Sequence, residues 1–452
     1  NDKKTINSKF QLIEYFESQC KLKSDFKIGT EHEKFLFYEN SLMPLSYNGN
    51  IGISRILNKL SEKYDMIKII EDRNTIGLID KNGGSISLEP GGQLELSGAP
   101  LKNIHQTCNE TGQHLKQMHD IFNDIGAKIK MLGIGFHPFW KRDDIFWMPK
   151  GRYKIMKKYM PKRGDLGIDM MLRSCTVQVN LDFENEKDMV RKFKISLALQ
   201  PVATALFANS PFKEEKNTGF KSFRSHLWTD TDPDRCGIPE CVFEENFGFE
   251  RWVDYILDVP MYFLKRDGKY LDFTGKSFKK LLLQKDNDFK NINPSIKDFE
   301  DHLSTAFPEV RLKGYLEMRG ADAGLWDNIC ALPAFWVGIL YDNQSIQMAE
   351  DLIKNFKLDE IKLARLDVAK RGLNANYGKQ EIIDVAKNAV NISYEGLKRR
   401  NINDSLGENE TKYLLPLIMA VEKKKAPADL LVEKFENDWK KDIKKVIENN
   451  SM

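Results

Sequence analysis

From Cys175 to Phe183 the chain alternates without a break. Cys175, Val177, Val179, Leu181 and Phe183 are apolar, and Thr176, Gln178, Asn180 and Asp182 between them are polar. A period of two puts the two sets on opposite faces of a strand, whereas a helix would mix them. The segment therefore reads as a strand with one face in a core and one face wet, the habit of antiparallel sheets. The pattern recurs in Gly83–Pro100. Ser85, Ser87 and Glu89 alternate with Ile86 and Leu88; after Pro90-Gly91-Gly92, Gln93, Glu95 and Ser97 alternate with Leu94 and Leu96. Two short strands joined by a turn would present a carboxylate on each side of it. Phe26–Tyr38 reads as a strand with Glu31 and Glu33 on one face and His32 on the other, as a hydrogen-bonded structural residue. In Tyr315–Asp322, Tyr315, Glu317 and Arg319 oppose Leu316 and Met318.

Any one of these polar faces would pass as a solvated hairpin. Together they hold acids, amides and one arginine, with no lysine to neutralise them. Two carboxylates on one strand face, such as Glu31 and Glu33, repel unless solvated or bridged by a cation. Carboxylate and amide oxygens suit hard cations such as Mg²⁺, which in turn points to phosphates. The candidate metal ligands are Glu31, Glu33, Glu89, Glu95, Gln178 and Glu317. The chain has no Gly-x-x-x-x-Gly-Lys-Ser/Thr loop, no Gly-x-Gly-x-x-Gly before a helix and no kinase catalytic loop. A nucleotide would have to be held through metal ions on a sheet.

The rest of the chain sets bounds. It has 452 residues, 41% hydrophobic and 30% charged, with a formal charge of +3. That is an ordinary globular composition, long enough for a large core. Near-balanced charge argues against nucleic acid as a main partner, and no apolar run suggests a membrane span. No signal or transit segment is visible. The six cysteines are scattered without a Cys-x-x-Cys pair, so a reducing cytoplasm is expected, with neither a zinc site nor a disulfide framework. Asn7–Leu22, Ile51–Tyr64, Asn103–Ile125 and Glu186–Asn209 read as helices, and Lys68–Ile79 as a small hairpin. His105, His114 and His119 lie along the third helix without an i, i+4 pair and read as surface or capping residues. Lys150–Arg163 is the most basic segment, a solvated helix face or a loop handling small-molecule phosphates. Thr218–Arg235 reads as a loop in which Arg224 and Arg235 could clamp a carboxylate or phosphate beside Trp228. Arg266–Asp298 is a charged excursion. From Asn328 the chain is largely helical, ending in one helix over Asp429–Glu448 with Phe435, Trp439 and Ile443 four apart. Nothing marks a sharp boundary. One domain over residues 1–452 is expected, with a sheet-bearing core over about 27–341 and a C-terminal helical part over about 342–452.

Five stretches, in order, resemble the glutamate–cysteine ligases of plants and proteobacteria. They are Ile28–Phe35 (IGTEHEKF), Ser87–Pro100 (SLEPGGQLELSGAP), Cys175–Phe183 (CTVQVNLDF), Arg224–Arg235 (RSHLWTDTDPDR) and Tyr315–Asp322 (YLEMRGAD). The resemblance runs from about Lys27 to Tyr341 and is looser in the C-terminal helices. It implies an α+β fold with a glutamine-synthetase-like antiparallel sheet, six strands curved into a half-barrel with helices outside. It implies ATP-dependent coupling of the L-glutamate γ-carboxylate to the L-cysteine amine via γ-glutamyl phosphate, the first step of glutathione biosynthesis. Two or three Mg²⁺ ions would be held by the six ligands above. Glu317 and Arg319 would serve the phosphoryl transfer, and Arg173, Arg224, Trp228 and Arg235 would bind substrate. Feedback by glutathione, a monomer or homodimer, and a bacterial cytoplasmic enzyme belong to the same expectation. The rival readings are a ligase joining glutamate to another amine and a catalytically silent nucleotide or glutathione sensor. The resemblance also carries a departure. The plant enzymes clamp a hairpin with a cysteine pair in the region of Leu271–Asn293, where this chain has no cysteine and Phe273 stands in the first position. That redox bridge is expected to be absent.

Overall fold

The alternating segments pair with one another, so their polar faces end up on one side of one sheet. The computed structural model describes residues 5–284, 289 and 292–452. The first four residues and part of the Arg266–Asp298 excursion lie outside the described residues. The strands are β1 (Ile28–Tyr38), β2 (Ile67–Glu71), β3 (Asn74–Ile79), β4 (Ser85–Leu88), β5 (Leu94–Ser97), β6 (Ile129–Leu132), β7 (Thr176–Leu181), β8 (Val310–Leu312) and β9 (Leu316–Asp322). Their order is β8-β9-β7-β1-β5-β4-β3-β2, with β6 also on β1, and every neighbour is antiparallel. The resemblance implied six strands; the sheet has nine. The eleven-residue β1 is long enough to pair β5 and β7 along its first half and β6 along its second, and the β2–β3 ribbon extends one edge.

The register aligns the acids. Glu33 sits opposite Glu95, Glu31 opposite Gln178, and Glu317 opposite Asn180. The apolar faces point the other way, into helices. The helices used below are α1 (Lys9–Glu17), α2 (Ile53–Tyr64), α3 (Ile104–Ile125), α4 (Gly151–Tyr159), α5 (Gly167–Arg173), α6 (Glu186–Leu206), α7 (Phe223–Leu227), α8 (Trp326–Leu340), α9 (Asn343–Ile353), α10 (Leu358–Arg371), α11 (Ile382–Arg400), α12 (Leu415–Lys423), α13 (Pro427–Asn437) and α14 (Ile443–Asn449). Val177, Val179 and Leu181 join Phe193 and Leu197 of α6, Ala331 and Phe335 of α8 and Val385 of α11 in one buried cluster. Leu88, Leu94 and Leu96 pack with Ile56 and Leu60 of α2 and Met118 and Ile121 of α3.

Several expectations are corrected by tertiary packing. The last predicted helix is broken into α13 and α14 by Lys440 and Lys441, both at positive φ. Phe435 and Ile443 nevertheless reach the same core, against Phe35, Phe37 and Leu132. The Thr218–Arg235 segment is not all loop: Ser222 caps α7 by accepting from Ser225 N at 3.0 Å. His105 and His114 are buried rather than on the surface, because α3 lies across the back of the sheet. His114 meets His32 edge to face at 5.6 Å, and neither ring hydrogen-bonds to protein atoms.

The turn between β4 and β5 is fixed by contact, not by solvent. Gly92 sits at φ +84°, and a Cβ on Gly91 would come within 2.5 Å of the Leu172 carbonyl oxygen. Gln93, expected on a wet face, is buried. Its Oε1 accepts from Gly91 N, and its Nε2 donates to the Met171 and Ser174 carbonyls at 3.1 and 3.0 Å.

Two arginines expected to bind substrate are structural anchors. Arg173 donates to Asp169 Oδ1 from Nε at 2.8 Å and to the Trp140 carbonyl and Glu214 from Nη1, both at 2.8 Å, over the face of Phe136. Arg235 donates to Asp232 at 2.6 Å and to the carbonyls of Thr305 and Pro260, and lies 3.7 Å from the Tyr262 ring centre. Both guanidiniums are buried with their donors committed. Burial by itself would raise the Asp169 carboxyl, but Arg142 and Arg173 hold it below its ordinary value. Arg173→Met is therefore expected to lose about 3–5 kcal/mol of stability in urea unfolding, the usual consequence of breaking a buried pair. Because the folded value of Asp169 is depressed, this contribution is full above the unfolded value of about 4 and fades as pH falls through the folded one. The gap between variant and wild type should narrow below that pH.

Candidate active site

The polar faces of β1, β4, β5, β7 and β9 line one cavity of about 950 Å³. Glu31, Glu33, Glu89, Glu95, Gln178, Glu317, Arg319, Arg224 and Trp228 all reach it; Arg173 and Arg235 do not. None of the six cysteines lines it, and all six are free thiols.

The carboxylates are of two kinds. Glu31, Glu33, Glu89 and Glu95 make no ion pair among the described residues. Burial, then Glu317 and Glu95, push the Glu31 carboxyl up to about 7. Burial and then Glu89 raise Glu33 and Glu95 as well. Their hydrogen bonds come from neutral donors: Asn180 Nδ2 to Glu31 at 2.7 Å, Thr176 N to Glu33 at 2.9 Å, and the Ser97 hydroxyl to Glu95. These bonds orient the oxygens but leave the negative charge uncompensated. Glu317 is the opposite case. Burial opposes its ionisation, yet Arg311, Lys313 and Arg319 hold it far below the ordinary range. Its Oε2 accepts from Arg311 Nη2 at 2.7 Å and from Arg319 Nη1 at 2.9 Å.

Arg319 also donates from Nη1 to Gln178 Oε1 at 3.1 Å, so the Gln178 oxygen already faces a cation. Arg224 is buried, donates from Nη2 to the Arg319 carbonyl at 3.1 Å, and sits on α7. Asp322, at the end of β9, fixes that helix. It accepts from Asn209 N at 2.8 Å, Ser210 Oγ at 2.6 Å and Ser222 Oγ at 2.8 Å, and Ser210 Oγ in turn accepts from Arg224 N. Trp228 follows on the next turn, half-buried against Phe307.

Sequence reading missed Asp322, Arg311 and Lys150 as parts of the site, and put Asn180 on a polar strand face without giving it a role. Asn180 and Asp322 lay in quoted motifs, and Arg311 precedes the last strand in Val310-Arg311-Leu312, so alternation across a hairpin could have paired it with Glu317. Lys150 and Arg152 belong to the basic segment. They line the cavity; Lys150 is committed to the Leu88 carbonyl at 2.8 Å, and Arg152 Nε is buried without a partner.

The donor chemistry fits Mg²⁺. Four uncompensated carboxylates on adjacent strands need positive charge, and hard oxygen donors match the ion. Among the described residues no group of three or more His, Cys, Asp or Glu side chains could hold a metal ion by itself. A Mg²⁺ ion here would take one or two carboxylates and complete its shell with phosphate oxygens and water.

Known proteins share this architecture. The family profile described as Glutamate-cysteine ligase family 2 (GCS2) matches residues 27–449. The chain is 49% identical over 442 residues to glutamate–cysteine ligase B, chloroplastic, of Oryza sativa subsp. japonica, covering 98% of this chain and 86% of that one. It is 50% identical over 438 residues to the chloroplastic ligase of Arabidopsis thaliana, covering 97% and 81%. Among solved structures, a glutamate–cysteine ligase from Francisella tularensis in complex with AMP has the same fold, with a TM-score of 0.52 at 15% identity over 97% of this chain and 86% of that one. With the acids, arginines and strand order of the sheet in place, the chain belongs to glutamate–cysteine ligase family 2.

Proposed function

We propose that the cavity joins the γ-carboxylate of glutamate to the amine of cysteine through γ-glutamyl phosphate, with Glu31, Glu33, Glu89 and Glu95 as the principal holders of Mg²⁺. Glutamate–cysteine ligation, the first step of glutathione synthesis, is this chain's reaction. The observation that supports this division of roles is the contrast between four unpaired acids and one arginine-paired acid on the same sheet face.

A carboxylate is a poor electrophile. Attack of its oxygen on the γ-phosphorus of ATP forms the acyl phosphate and releases ADP; attack of the cysteine amine on the acyl carbon then expels phosphate. Bound Mg²⁺ would neutralise charge on the transferring phosphoryl group. Arg319, held at the site by Glu317 and Gln178, is placed to stabilise charge that develops during transfer. Arg224 and Trp228 are placed to hold glutamate before and during reaction. Glu317 acts chiefly as the anchor of Arg311 and Arg319, and its role as a metal ligand is secondary. Lys150 and Arg152 bring the basic segment to the same cavity, in keeping with phosphate handling. A bacterial cytoplasmic location belongs to the same proposal; the relatives above carry chloroplastic names.

Glu89→Gln is expected to lower kcat/KM by more than about 100-fold at limiting Mg²⁺, beyond the usual effect of losing an outer-shell partner. Unfolding free energy should change by less than about 1 kcal/mol, because a mutually repelling charge is removed. Normal turnover of this variant at limiting Mg²⁺ would refute the ligand assignment.

The arginines should fail differently. Arg224→Lys is expected to raise the glutamate KM about tenfold with kcat little changed, since its contact exists in the ground state. Arg319→Lys should lower kcat about tenfold or more with glutamate KM little changed, since a point charge cannot reproduce the fork. Steady-state kinetics with glutamate varied decide between the roles.

In the region of the plant cysteine clamp, Phe273 stacks on Phe289 at 5.5 Å. A non-covalent contact thus joins the two arms of that segment. Activity is expected to stay within about twofold between reduced and mildly oxidised enzyme, since an aromatic pair of about 1 kcal/mol does not respond to redox poise. A several-fold rise on oxidation with a mapped bridge, Cys236–Cys241 being the first to examine, would overturn this.

A further inference from the structure

A second concavity opens between the start of α8, α12, α13 and the chain end. It encloses about 550 Å³ and shares no lining residue with the catalytic cavity. Its walls are mostly apolar. Trp326, Leu415, Met419 and Leu430 line it and are 38%, 57%, 41% and 42% exposed. Single exposed apolar side chains are ordinary, but four around one concavity form a contiguous patch of the kind that marks a binding site.

The rim is cationic. Lys412, Lys423, Lys425 and Lys434 line it against one acid, Asp327. Lys412 is paired with Asp404 and Glu408, and Lys425 with Glu433. Lys434 donates to the Asn449 amide oxygen at 3.3 Å and stands 5.6 Å from the Trp439 ring centre, and neither it nor Lys423 makes an ion pair among the described residues. Among the described residues, two ammonium groups therefore stand beside an apolar surface without a carboxylate partner.

We propose that this concavity binds an amphipathic organic anion, with an alkyl or aryl body on Trp326, Met419 and Leu430 and a carboxylate paired with Lys423 and Lys434. The shape favours a small molecule over a protein partner, because ligand pockets are concavities of roughly 300–1,000 Å³ lined by apolar groups with a few polar ones. The charge sets the sign of the head group, since an anion removes the unpaired positive charge and a cation adds to it.

Dodecanoate is the probe, titrated into the whole chain by calorimetry and by Trp326 fluorescence. Saturable one-site binding is expected, weakened at least about tenfold in the Lys423→Glu/Lys434→Glu variant, where attraction becomes repulsion at both positions. Ala420→Phe, which fills the wall from a buried position, should abolish it. Dodecyltrimethylammonium, with the same chain and opposite charge, should not compete. Ligase activity should stay at the wild-type level in both variants, which shows that they fold. Absence of saturable binding below about 1 mM, equal binding by the cationic chain, or unchanged affinity in the double variant would overturn the proposal. So would a wild-type dimer that either variant converts to monomer, for the face would then belong to a second copy of the chain.

Discussion

Mutual repulsion among Glu31, Glu33, Glu89 and Glu95 is the constraint around which the structure is arranged. Desolvation and neighbouring carboxylates raise the proton affinity of Glu31, Glu33 and Glu95, and hydrogen bonds from neutral donors do not remove the charge. Such a cluster persists only if the scaffold is stiff. The stiffness comes from antiparallel pairing, which fixes Glu33 opposite Glu95 and Glu31 opposite Gln178 through backbone bonds rather than through the side chains themselves. A slip of one residue would turn every acid into the apolar core.

The same sheet treats Glu317 differently, and chemistry follows from the difference. Arg311 and Arg319 compensate it fully, so it serves to hold guanidiniums. Arg319 is then presented beside the other four acids, cationic and oriented by Glu317 and Gln178. Asp322, at the end of the same strand, does for α7 what Glu317 does for Arg319. By accepting from Asn209, Ser210 and Ser222, it sets where Arg224 enters the cavity. Two acids of one strand thus position the arginines that line the cavity, Glu317 directly and Asp322 through α7.

Arg173 and Arg235 show where residue type misleads. An arginine in a segment rich in hydroxyls and acids is a fair candidate for anion binding, but five donors can equally be consumed inside the fold. Here Asp169, Glu214 and the Trp140 carbonyl take those of Arg173, and Asp232 and two carbonyls take those of Arg235. The competing acceptors come from up to 70 residues away, as with Arg235 and Thr305, and local sequence carries no trace of them. Gln93 is consumed in the same way by the Met171 and Ser174 carbonyls, whereas His114 is buried by packing against His32.

The sequence by itself determined which residues face which way along each strand, because side-chain direction follows from a period of two that is written locally. It thereby determined that Glu31, Glu33, Glu89, Glu95, Gln178, Glu317 and Arg319 lie on polar strand faces, and its motifs fixed the family. Tertiary structure alone decided which of these groups are neutralised and by what. Asn180 reaching Glu31, Asp322 anchoring α7, Arg173 turned inward and the broken helix at Lys440–Lys441 all depend on contacts between segments distant in the chain or on the packing around them. Charge compensation is a property of distances in space, and those distances exist only once the strands have paired.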